Sequence, residues 1–350
     1  MKTLTLVKYS KLELLGVPDP SIASDEVLIR VAACGICGSD VHGYDGASGR
    51  RIPPIVMGHE AAGLIEQIGK DVTTVVVGDR VTFDSTVFCG ECDFCVRGDV
   101  NLCDRREVVG VSCVEFRRMG AFAELIAVPS RIVYKLPEEL PFVEAAMLEA
   151  VAVALHAVKL SAPMQGEIAL VIGAGMIGVL TAQAAKAVGF ARVLIADVDA
   201  TRLRMAADLG ISETLHLSGE ALTSEIQKLT DGRGVDVALE AVGRSETVNT
   251  AIDCVRKGGR VMLIGNIQPE VTLPLQKVVS RQIRLQGSAA SAGEYPEAIE
   301  LLRNGGIRVG PLISAVAPLE DGAEWFERLH AREPGLLKVV LVPGVLEMSA

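Results

Sequence analysis

The chain has no uninterrupted apolar run of the ~18 residues that a transmembrane helix needs, although 49% of its residues are hydrophobic. Its N-terminus, MKTLTLVKYSKLELLG, lacks the apolar core and small-residue cleavage site of a signal peptide. A clustered basic face is missing too, and the net charge of −10 argues against nucleic-acid binding. We therefore expect a soluble, cytoplasmic protein whose partners are small molecules, with no membrane and no nucleic acid.

The length of 350 residues is too great for one small core. Short strand-like segments separated by turn residues dominate the first part of the chain, whereas strands and helices alternate further on. Such alternation is typical of a doubly wound parallel sheet. We expect one β-rich domain over residues 1–150, completed by residues 291–350, and one parallel-sheet domain over residues 151–290.

Residues 34–60, CGICGSDVHGYDGASGRRIPPIVMGHE, concentrate groups that bind metals and move protons. A catalytic zinc ion takes three protein ligands and keeps a fourth position open, so Cys37 and His59 need one more partner. The candidates are Glu60 and the distant Glu149. A lone carboxylate in the apolar stretch around Glu149 is costly unless it is paired or metal-bound; alternatively, it is an acid at a helix start, stabilised by the helix dipole. The many glycines of residues 34–60 predict loops around the metal.

Four further cysteines form a second group with the spacing Cys-x2-Cys-x2-Cys-x7-Cys: Cys89, Cys92, Cys95 and Cys103. Four thiolates in one loop can close a tetrahedral shell around zinc, which predicts a structural site. Free thiols are disfavoured because an exposed cluster is a redox liability. An iron–sulfur cluster is disfavoured because Asp104 stands where that motif has proline.

A dinucleotide-binding motif opens the second domain. An apolar strand runs into GAGMIG and then into an alanine-rich helix, and a second strand ends at Asp197. This context makes the glycine motif specific, because the glycines permit a tight turn, approach of the pyrophosphate and close helix packing. Asp197 would accept hydrogen bonds from the ribose and repel a 2′-phosphate, which favours NAD over NADP. Arg202 either reaches the same ribose or is a solvated helix residue. The predicted binding residues of the motif are Gly173, Gly175, Met176, Ile177 and Gly178.

Three later glycines close strands at their C-terminal ends, where doubly wound sheets bind ligands. They are Gly243, Gly265 and Gly287. We expect the loops at residues 264–267 and 287–288, with Gly265 and Ser288, to offer backbone groups to the nicotinamide. The alternative for each glycine is an ordinary turn.

In their order, the segments CGICGSDVH, GHE at 58–60, the four-cysteine loop, LEAVAVALHAV and GAGMIG resemble the zinc-dependent medium-chain dehydrogenases over the whole chain. The sequence is most similar to the sorbitol, xylitol and galactitol-phosphate dehydrogenases. The resemblance implies an α/β protein with a GroES-like β-barrel and a Rossmann domain, one catalytic and one structural zinc per chain, and a homodimer or homotetramer. It implies NAD-dependent oxidation of a secondary alcohol of a polyol to a ketose.

Individual residues match positions of this family. Ser39 and His42 match the proton relay, and Asp40 matches the residue that orients the zinc-bound imidazole. Glu60 and Glu149 stand at positions where members of the family supply a carboxylate. We count Glu60 among the catalytic residues as well. Ala150 departs from a proline found in part of the family. Two other functions remain open: a threonine-type or simple alcohol dehydrogenase, and a non-enzymatic sensor that binds NAD and zinc.

Overall fold

The computed structural model describes residues 1–113 and 116–344. In this part of the chain, two compact units are formed. The first unit contains residues 1–149, residues 291–303 and the described residues from Leu312 onward. The second unit contains residues 150–290 and 304–311.

The strands, numbered along the chain, are β1 (Lys2–Lys8), β2 (Lys11–Gly16), β3 (Glu26–Gly35), β4 (Ile55–Val56), β5 (Glu60–Ile68), β6 (Arg80–Phe83), β7 (Thr86–Val87), β8 (Glu107–Val109), β9 (Arg117–Arg118), β10 (Leu125–Pro129), β11 (Val133–Lys135), β12 (Ile168–Ile172), β13 (Arg192–Ala196), β14 (Glu213–Leu215), β15 (Val235–Glu240), β16 (Val255–Leu263), β17 (Arg284–Gly287), β18 (Ile313–Pro318) and β19 (Lys338–Val342). The α-helices are α1 (Gly38–Tyr44), α2 (Asp93–Arg97), α3 (Phe142–Ala145), α4 (Leu148–Leu160), α5 (Met176–Val188), α6 (Ala200–Asp208), α7 (Gly219–Leu229), α8 (Ser245–Cys254), α9 (Leu275–Ser280), α10 (Tyr295–Arg303) and α11 (Gly322–His330).

The first unit is built mainly from β-sheets. Its largest sheet has the order β11-β6-β5-β3-β19-β18, with β10 also paired to β3. Smaller sheets have the orders β2-β1-β4 and β7-β8-β9. The inner faces bury large apolar side chains, among them Leu6, Phe83, Phe122 and Phe326, and each contributes about 1.5–3 kcal/mol by leaving water.

Strand register in the large sheet brings distant parts of the chain to one place. Gly35, at the end of β3, pairs with Glu60 of β5 on one side and with Val340 of β19 on the other. A Cβ atom on Gly35 would overlap the Glu60 carboxylate, so glycine leaves the room that this side chain occupies. The segments that hold Cys37, Glu60 and Lys338 therefore meet at one end of the sheet.

The second unit is a six-stranded sheet in the order β14-β13-β12-β15-β16-β17, with every neighbouring pair parallel. Strand β15 is buried along its whole length, as expected for a strand covered on both faces. The chain leaves β12 towards β13 and later returns to its other side as β15, so the strand order reverses at β12. The sheet confirms the predicted α/β class, and ligands bind at the carboxyl ends of strands beside such a reversal.

One local prediction is wrong. Residues 38–44, expected to form a loop, form helix α1. Cys37 is the extended residue before the helix, and its N–H donates to the Asp40 carboxylate at 3.4 Å. This cap and the buried side chains of Asp40 and Tyr44 outweigh the low helix propensity of the two glycines.

Within residues 1–113 and 116–344, no helix combines the length and the apolar character that a membrane crossing requires.

Candidate active site and metal centres

Cys37, His59 and Glu60 form a group in the first unit whose ligand atoms all lie within 4.8 Å of one another. Cys37 joins β3 to α1, and Glu60 is the first residue of β5. His59 is 6% exposed and Glu60 is fully buried. The structure therefore brings a thiol, an imidazole and a carboxylate together, which are the three ligand types that catalytic zinc uses.

Asp40 and Ser39 contact opposite sides of the His59 ring. The Asp40 Oδ1 atom lies 3.4 Å from Nδ1, and the Ser39 Oγ atom lies 3.4 Å from Nε2. A carboxylate beside Nδ1 favours the tautomer that keeps its proton there, which leaves the Nε2 lone pair for a metal. Burial opposes protonation of His59, but Asp40 and Cys37 raise the pKa of this imidazole well above its usual value. The same anionic neighbours would stabilise a metal cation bound at Nε2.

The Glu60 carboxylate is shared between an ion pair and the metal-binding group. Its Oε2 accepts a hydrogen bond from the Lys338 ammonium, which also donates to the Ile36 carbonyl at 3.0 Å. The Oε1 atom is buried and has no hydrogen-bond partner among the residues that the structure describes. A buried carboxylate oxygen without a partner is costly, and a cation bound beside Cys37 and His59 would remove that cost. The residues present therefore fit a zinc ion.

Glu149, the other candidate ligand, is the second residue of α4 and does not belong to this group. Its Oε1 accepts a hydrogen bond from Ser85 Oγ at 3.3 Å. Burial, together with the nearby Glu60 and Asp84 carboxylates, raises the pKa of Glu149 to about 7. The charges of His59 and Glu60 act electrostatically on the Glu149 carboxyl group.

The two predicted relay residues, Ser39 and His42, are both exposed on α1. Between them, Asp40 is buried and pairs with Arg51, a residue that the sequence analysis did not single out. The Arg51 Nε and Nη2 atoms donate to Asp40 Oδ1 at 3.1 and 2.9 Å, and Nη2 also donates to Ser39 Oγ at 3.2 Å. Burial tends to raise the pKa of Asp40, but His59 and Arg51 lower it to about 2. Asp40 is therefore ionised near neutral pH.

The four cysteines of the second group also converge, and their sulfur atoms all lie within 4.8 Å of one another. The Cys92 and Cys95 sulfurs are 3.5 Å apart, and the Cys89 and Cys95 sulfurs are 3.8 Å apart. Tetrahedral zinc with Zn–S bonds of ~2.3 Å requires sulfur separations of ~3.8 Å. The backbone N–H groups of Glu91 and Cys92 donate to the Cys89 sulfur and lower the pKa of that thiol to about 5. The convergence of the four sulfur atoms therefore fits a metal ion.

The glycine motif of the second unit lies between β12 and α5. Gly173 has a positive φ of 98°, and a Cβ atom there would lie 2.6 Å from the Val242 side chain. A Cβ atom on Gly178 would overlap the Gly173 carbonyl oxygen. Gly175 precedes α5 and faces open space. Met176 and Ile177 begin the helix. The N–H groups at this helix start can therefore donate hydrogen bonds to a diphosphate.

Asp197 follows β13 and is fixed by backbone donors. Its Oδ2 accepts from the Ala174 N–H at 2.5 Å, and its Oδ1 accepts from the Asp199 N–H at 2.8 Å. The carboxylate therefore lies against the glycine loop. Arg202 does not contact Asp197; its guanidinium lies 3.5 Å from the Asp199 carboxylate.

The remaining predicted cofactor residues lie at the ends of three neighbouring strands. Gly243 and Gly265, after β15 and β16, pack so closely that a Cβ atom on either would overlap the other loop. The Ser288 N–H donates to the Leu263 carbonyl at 2.9 Å, and within residues 1–113 and 116–344 its buried hydroxyl has no hydrogen-bond partner. Sequence reasoning missed Glu240, which is buried and accepts the N–H groups of Val242 and Gly243 at 2.9 Å each. It fixes the loop after β15.

Comparison with known proteins identifies the family. The family model described as "Alcohol dehydrogenase GroES-like domain" matches residues 23–138, and "Zinc-binding dehydrogenase" matches residues 177–304. The L-idonate 5-dehydrogenase of Vitis vinifera is 36% identical over 84% of this chain and 81% of its own. The sorbitol dehydrogenase of Bacillus subtilis is 32% identical over 98% of both chains.

The solved structure of galactitol-1-phosphate dehydrogenase from Escherichia coli superposes with a TM-score of 0.89 at 27% identity, covering 98% of this chain and 100% of that one. The predicted combination of a GroES-like and a Rossmann domain is thereby confirmed. The chain is an oxidoreductase that belongs to the zinc-dependent medium-chain dehydrogenases, in the group of polyol dehydrogenases.

Proposed function

We propose that the protein oxidises a secondary hydroxyl of a polyol or sugar-alcohol derivative to the ketone, with zinc and NAD as cofactors. The observation that carries the proposal is the donor set of the candidate catalytic site: Cys37 is its one thiol, accompanied by His59 and the Glu60 carboxylate. We propose further that the protein acts as a homodimer or homotetramer in the cytoplasm.

The donor set favours diols over simple alcohols. Sulfur donates more charge than oxygen, so zinc with one thiolate and a carboxylate is harder and more electrophilic than zinc with two thiolates. Two neighbouring hydroxyl groups can chelate such an ion as its coordination number rises to five. A simple alcohol offers one oxygen only, and the names of the relatives, sorbitol and L-idonate dehydrogenases, support the same substrate class.

The choice of NAD is supported by Asp197. Its carboxylate is held by two backbone donors beside the glycine loop, and a carboxylate at this position accepts hydrogen bonds from ribose hydroxyls. A 2′-phosphate would meet a fixed negative charge there. Arg202, which could neutralise such a phosphate, is paired with Asp199 instead.

When bound, zinc supplies Lewis-acid polarisation of a hydroxyl group, and the nicotinamide supplies a hydride acceptor. Cys37, His59 and either Glu60 or Glu149 would hold the metal. Asp40, whose Oδ1 lies 3.4 Å from His59 Nδ1, would orient the imidazole. Ser39 Oγ, exposed and next to the His59 ring, takes the proton of the substrate hydroxyl, and the exposed His42 delivers a proton to solvent. The general-base step contributes about 10²–10⁴-fold to the rate.

The proposal is tested by following NAD and NADP reduction over polyols, polyol phosphates, aldonates, threonine and primary alcohols. We expect a polyol or polyol derivative with NAD to show the highest kcat/KM, and a chelator to abolish the activity. Ser39→Ala should lower kcat with that substrate by about 100-fold or more. Highest efficiency with threonine or with a primary alcohol would contradict the proposed substrate class, and unchanged kcat in Ser39→Ala would contradict the relay.

A further inference from the structure

We propose that Arg51 is a positioning residue for proton removal, because its guanidinium sets the direction in which the Ser39 hydroxyl accepts and donates protons. This inference rests on the proposed function, in which Ser39 takes the proton of the substrate hydroxyl. Nothing in the local sequence identifies Arg51, which follows another arginine in the segment ASGRRIPP.

The contacts of Arg51 join two neighbouring residues of α1. Arg51 is 3% exposed, and the Asp40 carboxylate beneath it is fully buried. Two guanidinium nitrogens donate to Asp40 Oδ1, and one of them, Nη2, also donates to Ser39 Oγ at 3.2 Å. Nη2 carries two N–H groups, so a single nitrogen can serve both acceptors. One planar group therefore fixes Ser39 relative to Asp40, and through Asp40 relative to His59.

The hydroxyl has a limited number of hydrogen-bonding positions. Ser39 Oγ has two acceptor lone pairs and one O–H donor. Arg51 occupies one lone pair, and the contact of Ser39 Oγ with His59 Nε2 would end once that nitrogen binds a metal. One acceptor and one donor then remain, the two functions that proton transfer needs. As Ser39 accepts the proton of the substrate hydroxyl, it gives its own proton to the next hydroxyl or water, so that one O–H bond forms and one breaks. Arg51 itself only donates hydrogen bonds and takes no part in the transfer.

Arg51 also prevents an unproductive contact. Without it, the Ser39 O–H could turn to the adjacent Asp40 carboxylate, which accepts hydrogen bonds more strongly than a neutral oxygen does. The guanidinium occupies that carboxylate oxygen with two N–H groups. A lysine at position 51 would still compensate the charge of Asp40, but its compact ammonium lacks the planar fork that holds both residues at once.

Gly43 provides the space for this side chain. It lies on α1, and a Cβ atom at this position would overlap Cγ of Arg51 and lie 2.9 Å from its Cβ. Because the overlap is with the stem of the side chain, Gly43→Ala should shift the guanidinium without removing any charge. The chain thus offers two independent ways to disturb the contact between Arg51 and Ser39.

The test is a double-mutant cycle with Arg51→Lys and Ser39→Ala in the zinc-loaded enzyme, using the best polyol substrate. We expect Arg51→Lys to lower kcat by about 10- to 100-fold, the loss typical of a misplaced catalytic group, with KM and zinc content close to those of the wild type. Arg51→Lys should cause no further loss in the Ser39→Ala background. Gly43→Ala should lower kcat in the same direction. Arg50→Met, which changes the exposed neighbouring arginine, should leave kcat unchanged.

Three results would overturn the inference. If Ser39→Ala lowers kcat and the loss from Arg51→Lys simply adds to it, Arg51 acts independently of Ser39, while the proposed function stands. If Arg51→Lys loses the catalytic zinc, Arg51 acts through the metal site alone. If Ser39→Ala leaves kcat unchanged, the relay in the proposed function fails, and the role of Arg51 fails with it.

Discussion

Replacing Lys338 by methionine should destabilise the first unit by about 3–5 kcal/mol. The Lys338 side chain is 1% exposed and Glu60 is fully buried, so water cannot replace the lost partner. The ammonium is a hydrogen-bond donor to Glu60 Oε2, and Oε1 has no hydrogen-bond partner in the described part of the chain. A methionine of similar length would fill the space and leave an uncompensated carboxylate. The free energy of unfolding is measured after a mild chelator has removed the catalytic zinc, so that Glu60 has no cation to bind.

The single tryptophan makes this measurement selective. Trp325 lies on α11 in the same unit as Glu60 and Lys338, so its fluorescence follows the unfolding of that unit. The matched control is the double variant Lys338→Met with Glu60→Gln, which removes both charges. Because a neutral pair needs no compensation, we expect it to recover most of the loss, to within about 1–2 kcal/mol of the wild type. A cost below about 1 kcal/mol in the single variant, or an equal cost in both, would refute the reasoning.

Three further predictions concern other parts of the molecule. Asp197→Ala should lower kcat/KM with NAD by about 10- to 100-fold, because it removes a charged hydrogen bond, and should leave kcat/KM with NADP unchanged or higher. An unchanged ratio of the two kcat/KM values argues against the role of Asp197. Cys95→Ser should lose one zinc per chain and lower the melting temperature before it affects kcat; a variant that keeps both metals and its melting temperature contradicts a structural site. Burial raises the pKa of Asp84 to about 6, so its folded form binds the proton more tightly than the unfolded chain, and the contribution of Asp84 to stability should fall by about 2 kcal/mol as pH rises from 4 to 8. Asp84→Asn should lack this loss. A stability difference between the two proteins that stays constant over this pH range would contradict the raised pKa of Asp84.

The features that the sequence predicted well depend on neighbours along the chain. The glycine motif between β12 and α5 and the four-cysteine loop each lie within a short segment, so their spacing alone indicates the geometry. The alternation of strands and helices likewise specified the parallel sheet. Such local patterns are enough to predict these features, because the turn, the helix start and the four-cysteine group are each built from one short segment of the chain.

The features that it missed depend on contacts between distant or unremarkable residues. Lys338 pairs with Glu60 across 278 positions, and no pattern around either residue indicates the other. Arg51 reaches Asp40 across 11 positions, but the packing that directs it there depends on the room left by Gly43. The sequence likewise did not show that Glu60 lies beside Cys37, since this depends on the pairing of β3 with β5.

The most direct test of the link between the metal ligands and the substrate is a comparison of 2,3-butanediol with 2-butanol. The two molecules differ only in the neighbouring hydroxyl group that would chelate the zinc. We predict that kcat/KM with NAD is at least about 100-fold higher for the diol, since a site that binds a hydroxyl group discriminates strongly against its absence. Equal efficiency, or a preference for 2-butanol, would contradict the proposal that the donor set at Cys37, His59 and Glu60 selects polyols.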